Sequence, residues 1–431
     1  MQHQICIWKN VNILANLNLL VWLHLSNTPS IDYPEQGSFM PSKRIRVLLC
    51  SSSMDGGGSE KQLLHLLRGL DRERFEPMLY LLHESGVLLD EIPSDVKRFA
   101  FWSENAPPKW NWPGRIHGLH VRHLAKLLVR EQIDVVYDRL FHMTLITGPA
   151  SERTQTPRIS TIVSPPQFDL AHSEKRWLTM KKRTLRRAYS TATALLTVSA
   201  GTADNAAAYY KIPRDNFQVM LSPIDIERID SESQKTRTGP ALRPDRKQII
   251  SVGRLSDEKG HRYLIQAFAK YLDSAKMDRV PEADLHLVGD GVLRKELQSL
   301  AARLHIADSV FFHGQMHNPF SLLTQCDLLV LPSLYEGMPN ALLEAMACRV
   351  PVLATDTAQG AGELLRNQSI GTLVARANAD DLAIAIQDRF QRPAHWLEKI
   401  APAREYVERN HCLQAWIDNI SQLLLRIAKK P

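Results

Sequence analysis

Pro332-Ser-Leu-Tyr-Glu-Gly-Met-Pro-Asn-Ala-Leu-Leu-Glu-Ala-Met-Ala347 follows directly on a continuous apolar run, Leu328-Leu-Val-Leu331. Such a run reads as a parallel strand buried on both faces. Pro332 ends it, and a short loop leads to Gly337. Pro339 suits the first position of a helix, because its ring presets φ and the N–H it lacks has no partner there. Glu336 then sits in the loop and Glu344 about one turn into the helix. The free N–H groups at this helix end, over residues Met338, Asn340 and Ala341 around Pro339, make it positive and suited to a phosphate. Glu344 is placed to take the two hydroxyls of a ribose, and Glu336 to take hydroxyls of whatever hangs beyond the phosphate. Two carboxylates flanking one anion-binding helix end describe a nucleotide-sugar site.

A plain loop and helix with two surface glutamates would show the same spacing, so the neighbouring motifs carry the argument. Gln248-Ile-Ile-Ser-Val-Gly-Arg-Leu-Ser-Asp-Glu-Lys-Gly-His261 reads as strand, glycine, loop and helix. Gly253 lets the backbone approach a phosphate. Arg254 and Lys259 can pinch a diphosphate from two sides, the arginine as a fork and the lysine as a point charge. A strand at Asp284–Val288 ends in Gly289-Asp-Gly291 at the head of a helix over 292–304. A strand at Ser309–Phe312 leads into His313-Gly-Gln-Met316, and Val350–Ala354 is a further strand.

Taken together, these motifs resemble the large family of retaining glycosyltransferases with two Rossmann-like domains, the GT-B fold of family 4 (glycosyl transferases group 1). Glu336 and Glu344 match its Glu-x7-Glu signature, and residues 253–260 match its Gly-Arg-x4-Lys-Gly. Gly289 and Gly291 match the turn that borders the nucleoside. Gln315 and Met316 lie in the segment whose backbone holds the base, and residues 355–363 match a Gly-Gly-x-x-Glu loop loosely. The resemblance runs from about residue 44 to 427, specific in the C-terminal half and loose in the N-terminal half. It implies an α/β protein whose two Rossmann-like domains face each other across a cleft. The acceptor domain would be 44–222, the linker 223–247 and the donor domain 248–410, with a last helix, 411–428, crossing back to the first domain. It implies Arg254, Lys259, Glu336 and His142 as catalytic residues. It implies Gly57, Gly58, Gly253, Gly289, Gly291, Gln315, Met316, Gly337, Met338, Pro339, Asn340, Ala341 and Glu344 as donor-binding residues.

The N-terminal half begins with a strand at Arg44–Cys50, then a loop with Gly56-Gly57-Gly58. Glu60 opens a helix with Leu63, Leu64, Leu67 and Leu70 on its apolar face. Strand, glycine loop and helix form the phosphate-approach geometry of Rossmann domains, though a flexible turn would look alike. In the family this loop faces the donor phosphates and the acceptor. After a strand at Val135–Tyr137 comes Asp138-Arg-Leu-Phe-His-Met143, where family members usually carry a histidine. Arg139 takes that histidine's place and His142 lies three residues on, so two residues compete for the acceptor side. Ser222-Pro-Ile-Asp225 resembles the family's Asn-Pro-x-Asp at the domain junction. The polar stretch 227–246, with Gly239, Pro240 and Pro244, reads as the linker.

Composition bounds the setting. The 431 residues suffice for two or three domains, and 44% hydrophobic with 23% charged describes a globular chain. Five scattered cysteines without Cys-x-x-Cys argue against a zinc site or a disulfide framework and for a reducing cytoplasm. No Asp-x-Asp occurs, so no metal and no cofactor is expected beyond the nucleotide-sugar substrate. The net charge of +7 draws the chain to anionic surfaces. Lys175-Arg-Trp-Leu-Thr-Met-Lys-Lys-Arg-Thr-Leu-Arg-Arg187 has seven basic residues and no acidic one. It reads either as a solvated helix with one face on the core, or as a basic amphipathic helix on an anionic bilayer. No motif supports nucleic acid as a partner. In the extension 1–43, the apolar run Ile5–Leu25 is too interrupted by polar residues for a good membrane span. Met40 as the true start competes there with a peripheral membrane anchor.

The expected activity is metal-independent transfer of a sugar, with retention, from a nucleotide sugar to an acceptor hydroxyl, UDP being favoured over GDP. The acceptor would be lipid-linked or a polysaccharide, and the place the cytoplasm or the inner face of the plasma membrane. Two alternatives stay open: a sugar-nucleotide epimerase or hydrolase of the same fold, which needs acid/base carboxylates in both domains, and a catalytically silent, membrane-bound partner protein.

Overall fold

The apolar runs at Ile45–Ser51 (β1) and Lys247–Val252 (β8) become the central strands of two separate parallel sheets. The computed structural model describes residues 43–428 apart from 109, 111, 174–176, 238–240 and 279, so nearly all of the N-terminal extension lies outside the described residues, as do Lys175 and Arg176 of the basic run. The first sheet continues with β2 (Phe75–Leu81), β3 (Lys97–Ala100), β4 (Val135–Arg139), β5 (Arg158–Ile162), β6 (Ala194–Thr197) and β7 (Phe217–Val219), in the order β3-β2-β1-β4-β5-β6-β7. The second adds β9 (Ala283–Val288), β10 (Val310–Gly314), β11 (Leu328–Leu331), β12 (Val352–Thr355) and β13 (Thr372–Val374), in the order β10-β9-β8-β11-β12-β13. Every pair of neighbouring strands is parallel.

Continuous apolar strands follow from burial on both faces, since successive side chains alternate. In β1, Val47 and Leu49 join one core while Leu48 and Cys50 join the other. In β11, Leu329 and Leu331 face one core and Leu328 and Val330 the opposite one. All four are at most 3% exposed, and each contributes about 1.5–3 kcal/mol of transfer free energy.

The helices that position the site are, in the first domain, α1 (Gly58–Gly69), α2 (Arg115–Arg130), α3 (Phe141–Thr154), α4 (Pro166–Ser173), α5 (Leu178–Ser190) and α6 (Ala200–Tyr210). Further on lie α7 (Ile226–Ser233), α8 (Asn340–Ala347), α9 (Ile400–Asn410) and α10 (Leu413–Ile427). The stretch expected to be plain linker contains α7. Asp225 caps it, its carboxylate accepting from the Arg228 N–H at 3.0 Å, and Ile229 is buried in the core of the second sheet. One turn of apolar spacing was too short to stand out in a polar segment. Arg404 on α9 holds α7 through Asp230, at 2.8 and 2.7 Å.

The chain crosses between the domains twice, and the crossings lie side by side. Ile224 and Cys412 form an isolated parallel bridge, and His411 Nδ1 stands 2.7 Å from the Ser222 carbonyl oxygen. Beyond the second crossing, α10 packs Trp416, Ile417 and Ile420 into the core of the first sheet, against Leu63 and Leu67 of α1. A Cβ on Gly69 would lie 2.4 Å from the Ile417 Cδ1, so glycine lets the two helices touch there.

Candidate active site

In each sheet the central strand has neighbours whose connections run in opposite directions: β1 between β2 and β4, β8 between β9 and β11. At such a switch point the loops leaving the carboxyl ends of the two strands splay apart and open a crevice. The glycine loop leaves β1, Arg139 ends β4, Gly253 and Arg254 leave β8, and Glu336 lies in the loop leaving β11. The loops that carry Gly57, Gly58, Arg254, Lys259 and Glu336 therefore stand at the two switch points.

In the second domain the turn after β9 locks onto the loop after β8. Gly289 has φ +129°, and a Cβ there would fall 2.0 Å from the Gly253 carbonyl oxygen; one on Gly291 would fall 2.4 Å from that of Leu255. The Leu255 N–H donates to Asp290 O and the Leu293 N–H to Leu255 O, both at 3.0 Å. The freedom of Gly289 and Gly291 is thus used against protein backbone, and it holds the loop that presents Arg254 to solvent. A Cβ on Gly253 would meet the Lys259 stem at 3.6–3.8 Å. Its Nζ lies 2.5 Å from Glu336 Oε1, which also accepts from Ser333 Oγ at 2.8 Å. Lys259 and Glu336, expected to act on different parts of the donor, thus pair with each other, and an anion brought to the ammonium would have to compete with Glu336.

The helix begins one residue later than the sequence suggests. Pro339 is the cap, at φ −82° and ψ 90°, and Asn340 is the first helical residue. Ala341 shares this first turn, and Glu344 stands on the next, 3.9 Å from Lys61 Nζ of the first domain. Met316 and Met338 pack against the core of the second sheet. Gln315 Nε2 donates to the Asp55 carbonyl oxygen across the cleft at 3.3 Å.

The first domain meets this half closely. A Cβ on Gly58 would lie 2.8 Å from Asn340 Nδ2, and one on Gly57 would lie 2.5 Å from Glu60 Oε2. Gly337, expected to bind the donor, also faces the first domain: a Cβ there would fall 1.8 Å from the Val163 carbonyl oxygen just after β5. Tyr335 stacks on Phe168 of α4, centroids 5.4 Å apart at 18°. Glu363 accepts from the Ala200 and Gly201 N–H groups at 3.1 and 2.9 Å, placing a carboxylate on the positive end of α6.

Arg139 and His142 part company. Arg139 is 3% exposed, its Nη1 donates to Tyr137 Oη at 3.0 Å, and its Nε is buried without a partner. His142 is exposed on the first turn of α3, its ring 3.8 Å from that of Phe141. Leu140 between them holds φ +68°, a costly value for a branched side chain and a kind of strain that gathers at functional sites.

Two first-domain carboxyls escaped the sequence reading as site residues. Burial raises the Glu60 carboxyl above its ordinary range, opposed by hydrogen bonding to its own backbone and by the charges of Arg254 and Arg139. Burial, with Glu258 adding to it and Arg254 opposing, lifts Asp169 on α4 to about 6. Both acids thus feel Arg254 across the cleft. Glu60 carried a signal, an acid directly behind a glycine loop; Asp169 carried none.

Two family models match the chain. "Glycosyltransferase Family 4" covers residues 56–228 and "Glycosyl transferases group 1" residues 232–404. An N-acetylgalactosamine-N,N'-diacetylbacillosaminyl-diphospho-undecaprenol 4-alpha-N-acetylgalactosaminyltransferase of Campylobacter jejuni is 31% identical over 194 residues, 45% of this chain and 50% of that protein. The putative teichuronic acid biosynthesis glycosyltransferase TuaC of Bacillus subtilis is 28% identical over 287 residues, 64% of this chain and 67% of that one. The chain spans half or less of the length of the first relatives it matches. Among solved structures, Anabaena Alr3699/HepE in complex with UDP and glucose superposes with a TM-score of 0.71 at 21% identity, over 89% of this chain and all of that one, a likeness of fold.

Proposed function

The chain belongs to the glycosyl transferases of group 1 and family 4, and from that premise we propose that it moves a sugar from a nucleoside diphosphate to an acceptor hydroxyl, with retention and without a metal ion. The observation that carries this reading is the gathering of Arg254, Lys259, Glu336 and Glu344 around the head of α8, at the switch point of the second sheet. As the bond between the anomeric carbon and the leaving oxygen breaks, negative charge grows on the diphosphate. Arg254, Lys259 and the N-terminus of α8 are preorganised to stabilise it. Glu336 holds sugar hydroxyls, and Glu344 holds the ribose. The acceptor oxygen attacks on the face the diphosphate leaves, and its proton passes to the departing phosphate. Closure at Gly337 and Tyr335 keeps water from the donor.

The donor is a nucleotide sugar, and UDP is the first base to test, being the nucleotide bound in a protein of the same fold. The names of the Campylobacter and Bacillus relatives support a lipid-linked or polysaccharide acceptor at the membrane face. Alanine at Arg254 or Lys259 should lower turnover by roughly 100-fold or more. EDTA should leave turnover unchanged; loss with EDTA that magnesium or manganese restores overturns the metal-independent step. The anomeric configuration of the product, read by NMR, decides retention.

Glu60 and Asp169 favour a second reading, since a hydrolase or epimerase of this fold needs first-domain carboxyls. It predicts donor consumption at full rate with no acceptor present.

A further inference from the structure

We propose that the start of α2 and the outer face of α5 form an aromatic, cationic surface that docks the protein on an anionic bilayer. This rests on the reading of a membrane-borne acceptor and assigns the surface that reaches it. Trp110 is 78% exposed, Trp112 and Trp177 are 59% and Met180 is 56%. Tryptophan is a residue that folding ordinarily covers. Trp112 and Trp177, far apart in sequence, line one open groove with Ile116 and His117. Arg115 lies over the Trp112 ring, 4.4 Å from its centroid.

The charges complete the surface. Helix α5 carries Lys181, Lys182, Arg183, Arg186 and Arg187 and no acid. Its opposite face is spent on the core through Leu185, Ala188 and Tyr189, so the helix cannot roll to bury its cations. Arg187 pairs with Glu152 at 3.0 Å and Lys182 sits over Tyr209 at 3.7 Å, while Arg183 and Arg186 are exposed. Indole rings prefer the boundary between headgroups and acyl chains, and lysine and arginine are held by anionic headgroups. A neutral glycan would use the rings and leave the cations idle; a bilayer uses both. Among the described residues no helix is long and apolar enough to cross a membrane, so the contact is peripheral. Helix α4, whose Phe168 lies on Tyr335, ends at Ser173, and Trp177 follows shortly after in the chain.

The test is co-sedimentation of the full chain with phosphatidylcholine vesicles, with and without phosphatidylglycerol, across a salt series. A triple variant (Trp110→Ala, Trp112→Ala, Trp177→Ala) and a double variant (Arg183→Glu, Arg186→Glu) are run beside it. We expect recovery with anionic vesicles only, weakening as salt rises, and a loss of roughly tenfold or more in either variant. Thermal shift with UDP on the same preparations should be equal in all three proteins. Variants that sediment like the parent overturn the proposal, and so does loss of binding to a soluble acidic polysaccharide with vesicle recovery unchanged. A missing UDP shift breaks the enzymatic reading alone, and the vesicle comparison still decides this one.

Discussion

The turn at Gly289–Gly291 and the loop at Gly56–Gly58 are both glycine-rich and both follow a parallel strand, yet their glycines touch different things. Added Cβ atoms at 289 and 291 meet the backbone of Gly253 and Leu255, whereas at 57 and 58 they meet the side-chain ends of Glu60 and Asn340. Backbone locked in loop-to-loop hydrogen bonds cannot step aside; a carboxylate or an amide on a flexible stem can. At these two turns, therefore, the second domain is held to one geometry while the first meets movable side chains, although Gly86 of the first domain also packs on backbone, an added Cβ lying 2.1 Å from Met54. On the proposed function, a site assembled from the two would keep its nucleotide contacts fixed while the partner hydroxyl is accommodated.

The strongest challenge to this contrast is Gly337, which belongs to the second domain but faces the other domain's backbone, where an added Cβ would fall 1.8 Å from Val163 O. Gly337→Ala should hold the domains apart and lower kcat by about 100-fold, the scale of a misplacement of about 1 Å, with Tm and nucleotide binding little changed. Full activity in this variant would mean that closure is not needed in this form. Next in size is Glu344→Gln. Losing a charge-assisted hydrogen bond to ribose should weaken nucleotide binding, read by calorimetry, by about 1.5–3 kcal/mol. An unchanged affinity would move the ribose elsewhere.

The movable half is sharpened by Asp169. Its acid is raised to about 6, so a role for the carboxylate would make kcat/KM fall as pH drops through about 6, and Asp169→Asn should flatten that limb. Stability supplies an independent sign. A raised folded value means that the cost of the buried charge is absent below the unfolded value, near 3.8, and fully present above about 6. The Asn variant should accordingly show a higher Tm above pH 6 and an equal one below 4. The smallest effect is expected of Gly58→Ala. Asn340 can swing away, and alanine gains up to about 1 kcal/mol over glycine in a helix, so activity should change by less than a few-fold and Tm should hold or rise. A collapse there would place Gly58 with the rigid glycines.

Much of the donor half was readable because its signals are local. Leu328–Leu331, Pro332 and the spacing of Glu336 and Glu344 follow from strand burial and helix geometry within one short segment. The pairing of Lys259 with Glu336 was not readable, because it depends on two loops meeting across β8 and β11. Gly337 was legible as a glycine but not as one facing Val163, since nothing local states how near the other domain comes. Asp169 looked like any acid on a short helix; only the closed cleft sets it beside Arg254 and Glu258. The competition between Arg139 and His142 needed the backbone at Leu140, where the chain turns one inward and the other outward.

Helix α10 bears on how the protein is made. Trp416, Ile417, Ile420 and Leu424 cover part of the core of the first sheet, and they follow the strands of the second domain in the chain. Chains commonly fold their domains in order of emergence from the ribosome. Here the earlier domain stays incomplete, with part of its core uncovered, until the later domain has emerged with all its strands. A nascent chain stalled short of Trp416 would therefore present that apolar strip to chaperones, and the damage from a C-terminal truncation would surface in the half of the molecule made first.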